Sequence, residues 1–235
     1  RTYSVRRFIF QSGDEEDVPS GRKVQITAGV ENTSIANRPY ASANVAVGGF
    51  IGSDFYVSTS LSWSTFLNKK NPEDSKIQFK ALAFTPLIGG DKLKVRIFGT
   101  TDYTQYRHQT YFRPIGLNED GLLPGYDRSD PEGTERLAGN LTLALFNPVE
   151  IIGFKFTPLL YFSSGFVGTG EKAIWRSSMQ SSIGAGVVVT NEFLAQSDFK
   201  LVLAIFPGQS DFYKTGDISA WEYEFSDFDF KKPEV

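Results

Sequence analysis

The chain has 235 residues, no cysteine, one histidine, a formal net charge of −3 and 40% hydrophobic residues. These totals exclude a disulfide framework and a thiolate or His-rich metal site, and an acidic pI of about 5.3 argues against a nucleic-acid binder, which carries a basic patch. The length suits one domain, and no apolar run reaches the roughly 18 residues that a membrane-spanning helix needs.

The pattern that remains is period two. Residues 5–11 form a first candidate strand, followed by a turn over residues 12–21 that holds the acidic run Asp14-Glu15-Glu16-Asp17. Residues 23–31 put Val24, Ile26, Ala28 and Val30 on one face, and residues 41–49 return to a tight turn at Gly52-Ser53-Asp54. In residues 56–66, Val57, Thr59, Leu61 and Trp63 oppose Ser58, Ser60, Ser62 and Ser64, an alternation no helix presents. Residues 76–84 set Ile77, Phe79 and Ala81 against Lys76, Gln78 and Lys80, and residues 93–103 set Leu93, Val95 and Ile97 against Lys94 and Arg96. A long excursion, residues 106–135, contains Pro114, Pro124 and Pro131 and several glycines. Strands are then expected at residues 136–146, 154–167, 181–190, 199–206 and 221–230, joined by short links (147–153, 191–198) and long ones (168–180, 207–220).

Short turns on one side, longer loops on the other and alternating polarity are the marks of an outer-membrane β-barrel. The fold class expected is therefore all-β, an antiparallel transmembrane β-barrel filling residues 1–235, in the outer membrane of a Gram-negative bacterium. The 21 Phe, 10 Tyr, 3 Trp and 22 Gly suit twisted strands and an aromatic girdle. A soluble β-sandwich also alternates and is the bland alternative. A charged side chain at the bilayer midplane costs about 2–4 kcal/mol, so Lys94, Arg96 and Lys155 are expected to face the lumen, where Lys76, Lys80 and Lys200 join them. Asp54, Asp91, Pro148 and Glu192 then fall in periplasmic turns, and the long loop at the outer mouth.

The count is 11 strands, whereas bacterial single-chain barrels close with an even number. Either residues 5–11 are not a membrane strand, leaving ten, or further strands precede them. With no signal peptide opening the chain, the second choice is expected: the C-terminal part of a barrel of about sixteen strands.

Isolated chemistry is sparse. His108 is the only histidine, so any Ser-His-Asp triad would need it, and it sits at a strand end as a loop residue. The run from Asp14 to Asp17 could hold calcium but lacks the spaced ligands of a dedicated loop. No catalytic residue, metal or cofactor is expected.

Four segments carry a family resemblance. Gly121-Leu122-Leu123-Pro124-Gly125-Tyr126-Asp127 resembles a loop motif that folds back into a barrel lumen, with Gly125 for the sharp turn and Tyr126 to pack inside. Residues 133–146, residues 160–168 and Ser182-Ile183-Gly184-Ala185-Gly186-Val187 resemble the strands that follow it. In that order they resemble the C-terminal half of the BamA-like surface-antigen superfamily, which includes TamA, FhaC-type transporters and barrels fused to patatin-like lipases. The resemblance implies insertion or translocation of polypeptides at the outer membrane, with no bond made or broken. Unfolded outer-membrane or secreted polypeptides and periplasmic or lipoprotein partners go with it. In the family a loop arginine pairs with acidic residues on the next two strands; the matching positions here are Pro124, Ala144 and Ser163, a coordinated loss of that lock, with Arg128 or Arg136 as substitute charges. Two alternatives stay open: a barrel that anchors or exports an upstream domain such as a lipase, and a passive pore for small solutes.

Overall fold

The computed structural model describes residues 2–9, 15–32, 37–68, 71–111, 113–117, 123, 132–147, 150–169, 171, 174–191, 199–207 and 215–220. Among them the strands are β1 (Thr2–Arg7), β2 (Glu15–Asn32), β3 (Asn37–Ile51), β4 (Phe55–Asn68), β5 (Asn71–Phe84), β6 (Ile88–Gly89), β7 (Lys94–Arg107), β8 (Glu135–Phe146), β9 (Glu150–Ile151), β10 (Phe154–Gly168), β11 (Gln180–Asn191), β12 (Phe199–Ile205) and β13 (Thr215–Ala220). The helical content is one 3₁₀ turn, Ile174–Arg176. Every pairing is antiparallel, in the order β2-β3-β4-β5-β7-β8-β10-β11-β12-β13, with the two-residue β6 on β7 and β9 on β10. These ten long strands form a wall, and no pairing among the described residues joins β2 to β13, so the sheet is open.

Strand ends fall beyond the predicted limits. β2, β3, β4 and β5 each extend by several residues, so the links between β2 and β3 and between β4 and β5 shrink to residues 33–36 and 69–70. Loop length therefore does not separate cleanly by side: these two short links share an edge with the long connection between β7 and β8, residues 108–134. The cause is alternation continuing through polar residues such as Asn71 and Glu73, which a pattern of apolar residues alone undervalues. β13 lies inside the segment read as the long loop 207–220, and the strand predicted at residues 221–230 lies outside the described residues.

Burial departs from that of a soluble sheet. One surface buries polar and charged side chains, Ser58, Ser60, Arg96, Asp102, Thr142, Thr157, Ser163 and Ser182, together with apolar ones such as Tyr56, Phe84, Phe98, Phe146, Leu159 and Tyr161. The opposite surface carries large apolar side chains in the open, among them Val24, Ile26, Leu61, Trp63, Leu141, Leu160 and Leu203. The former is called the inner face. Lys94 and Arg96 share its parity with Phe98 and Asp102 on β7.

What covers the inner face is chain from outside the wall. β1 pairs with the leading third of β2 in register Thr2↔Ser20 to Arg7↔Glu15, and only from Gly21 onward does β2 join β3. At Gly21 φ is 140°, a backbone setting closed to most L side chains. The hairpin departs inward there, and Phe8, Ile9 and Val18 pack on Tyr56, Leu82, Phe84, Phe98, Ala144 and Phe146. The predicted strand 5–11 is thus not a wall strand, and the acidic run predicted as a turn supplies strand residues Glu15, Glu16 and Asp17.

Candidate functional site

The candidate site is the polar band of the inner face, held between two apolar fillings. At its centre β7 and β8 run side by side with Thr104 opposite Arg136 and Asp102 opposite Ala138. The diagonal neighbours Asp102 and Arg136 therefore meet: Arg136 Nη2 donates to Asp102 Oδ1 at 2.7 Å, with both side chains almost fully buried. Thr104 Oγ1 donates to the same oxygen at 2.9 Å, Gln78 Nε2 to Asp102 Oδ2 at 2.9 Å, and Lys80 Nζ stands 3.9 Å from Oδ2. One carboxylate thus collects donors from β5, β7 and β8. A second run lies beside it, Thr142 Oγ1 donating to Asn140 Oδ1 and Asn140 Nδ2 to Ser163 Oγ, each at 2.6 Å.

Arg136 also reaches out of the wall. Its Nη1 donates to the carbonyl of Gly116 at 3.4 Å, which ties the connection between β7 and β8 to the ion pair. That connection is pinned further by paired backbone bonds between Ile115 and Gly133 and by Thr134 N donating to Gly168 O. Its described residues Ile115, Leu117 and Leu123 are 0% exposed. Leu117 and Leu123 sit in an apolar cluster with Leu159, Tyr161, Val188 and Val202 from β10, β11 and β12. The wall makes room at Gly165, where an added Cβ would stand 2.6 Å from Leu117 Cδ1.

The predicted site residues distribute as follows. Leu123 is buried in that cluster; Pro124, Gly125, Tyr126 and Arg128 lie outside the described residues. Ala144 is buried, level with Arg96 on β7 and Leu159 on β10, and Ser163 is buried with its hydroxyl accepting from Asn140. Lys94 lies with its Nζ 4.3 Å above the Phe8 ring, and Arg96 stacks on Phe84 at 4.9 Å. Lys155 pairs with Thr190 across the β10–β11 ladder on the inner parity. Lys76 lies over Tyr106, and the side chain of Lys200 lies outside the described residues. His108 takes a positive φ of 54° just after β7, and its carbonyl accepts from Asp74 N at 2.9 Å.

Sequence reasoning missed Asp102 and Gln78 and reached Arg136 only as a substitute charge. The signal was present: Asp102 shares the parity of Lys94 and Arg96, already assigned to the inner face, and so is the acid nearest to them in pattern. Among the described residues no group of three His, Cys, Asp or Glu side chains could hold a metal ion. What the arrangement offers chemically is a network of held charges rather than a reacting centre.

Compared with protein-family models, with curated proteins and with solved structures, the chain matches none of them.

Proposed function

We propose that this chain forms a transmembrane β-barrel of a Gram-negative outer membrane, with an interior gated by its own inserted segments. Its task is the insertion or translocation of polypeptides that the BamA-like resemblance implies. The observation that carries the reading is the burial pattern: a band of serines, threonines and charges covered inside between two apolar clusters, with leucine, isoleucine, valine and tryptophan uncovered outside. A large exposed apolar surface needs a partner, and hydrocarbon suits one that runs along the wall strands from β2 to β12. Wall strands of 12–15 residues from β2 (counted from Gly21) through β11, β6 and β9 aside, exceed the roughly 9–11 residues that cross a bilayer.

In lipid, unpaired edge groups are too costly to persist, so the open wall has to close. With ten antiparallel wall strands, β2 and β13 run in opposite directions and are competent to pair; closure with earlier strands into a barrel of about sixteen is the alternative. No catalytic group is assigned. The partners are the bilayer, unfolded polypeptides and periplasmic or lipoprotein factors. A second reading, an anchoring or export barrel for an upstream domain such as a lipase, is favoured by the filled inner face, because an anchor needs no passage.

The test uses Trp63, exposed on the apolar face. In a Trp175→Phe/Trp221→Phe variant refolded into vesicles, its fluorescence should be quenched by lipids brominated on the acyl chain. A chain that stays soluble without detergent and shows no such quenching would end the membrane reading.

A further inference from the structure

We propose that the β1–β2 hairpin is a displaceable plug, swung on Gly21 and seated across the end of the inner face where β3 turns into β4. The inference rests on the barrel reading above and adds a moving part to it.

The seat runs from β4 to β8 along that end of the inner face. Near the root, Tyr56 Oη donates to the Pro19 carbonyl at 2.8 Å, Arg6 Nε stands 3.9 Å from Asp54 Oδ1, and the Arg6 guanidinium lies 4.8 Å over the Phe50 ring. Near the far end, the Phe8 and Phe146 rings meet edge-on at 5.8 Å, and Lys94 caps Phe8. Tyr56 belongs to β4 and Phe146 to β8, three positions apart in the wall order, so the hairpin bridges strands that do not pair with each other.

The grip is light for that reach. Beyond Gly21, β2 is held to β3 by a continuous ladder from Gly21↔Gly48 to Asn32↔Asn37, whereas no described backbone pairing ties the hairpin to any strand outside itself. Among the described residues its hold on the wall includes apolar contacts, the Arg6–Phe50 and Lys94–Phe8 cation–ring contacts, the neutral Tyr56–Pro19 hydrogen bond and the long Arg6–Asp54 ion pair.

The seat also contains a group that opposes it. Arg96 lies among Phe84, Phe98 and Ala144, the residues on which Ile9 and Val18 pack, and is 5% exposed. Its Nε and Nη1 find no acceptor among the described residues. Burying a cation with two donors unmet is unfavourable, and the attraction of the Glu16 and Asp54 carboxylates acts through space rather than through those donors. Lifting the hairpin returns water to Arg96, so seated and lifted states are drawn together in free energy and a path opens beneath.

The test is single-channel recording of the full chain in planar bilayers. With no native cysteine, a Phe8→Cys/Phe146→Cys pair can be bridged by a short bis-thiosulfonate reagent without side reactions. Bridging should abolish openings, and reducing agent should restore them. Independently, Arg96→Met should lower the open fraction about tenfold and raise the melting temperature of the folded species, the opposite of truncating a merely structural buried side chain. Openings that persist after bridging, an Arg96→Met variant that opens more and melts lower, or a wild type that inserts and never opens each overturn the plug alone. A wild-type chain that enters no bilayer overturns the barrel reading with it.

Discussion

Two buried arginines on neighbouring strands make the residue-scale contrast. Arg136 has Asp102 at 2.7 Å, whereas Arg96 lies over the Phe84 ring, with the Glu16 and Asp54 carboxylates attracting it through space. Removing one member of a buried pair strands the other, a loss of about 3–5 kcal/mol. Asp102→Ala should therefore lower the unfolding midpoint of the chain in urea sharply, and Asp102→Leu/Arg136→Met should recover most of it. Equal damage from the double variant would mean the pair holds more than its own charges. The inner-face placement of Arg96 was legible in the sequence, because alternation in β7 assigns every side chain to a face once two are known. The Asp102–Arg136 contact was not, since a diagonal contact depends on the register of β7 against β8, and the 27 residues between them (108–134) leave that register free.

At the scale of elements, most strand centres and many strand limits were readable, and the limits that ran well beyond expectation were the starts of β2, β3 and β5 and the end of β7. The acidic run is instructive: four consecutive acids read as solvated turn, yet Arg6 and Arg7 face Glu16 and Glu15 across the hairpin, and Arg7 Nη2 donates to Glu15 Oε1 at 2.7 Å. Opposite charges across strands offset the low β propensity of each acid. At the other edge, Arg38 gathers Glu31, Glu73 and Asp74, while Asp74 Oδ1 accepts from Thr110 N at 2.8 Å and so fixes the start of the long connection. That connection depends equally on the gap at Gly165. Gly165→Val would force Leu117 out, with an overpacking cost of about 1–3 kcal/mol. Limited proteolysis should then cut within residues 113–134 faster than in the unaltered chain, with the wall strands still protected.

For the whole molecule, the question is which solvent the outer surface meets. Leu141 stands at the middle of β8, 55% exposed among other apolar side chains. Water and hydrocarbon give different answers to Leu141→Arg: within about 0.5 kcal/mol for an ordinary surface substitution, against a loss of about 2–4 kcal/mol at a bilayer midplane. Reversible urea unfolding from vesicles measures the difference, and an unchanged midpoint would place Leu141 in water.

The leading hairpin is spliced into the wall through one continuous strand, with Gly21 as the only joint. It behaves as a leashed part. Once lifted it cannot diffuse off, and it meets its seat again at the millimolar effective concentrations typical of short tethers. Recapture is therefore fast and independent of protein concentration, so under the proposed plug any passage past the seat would last only while the leash is held taut.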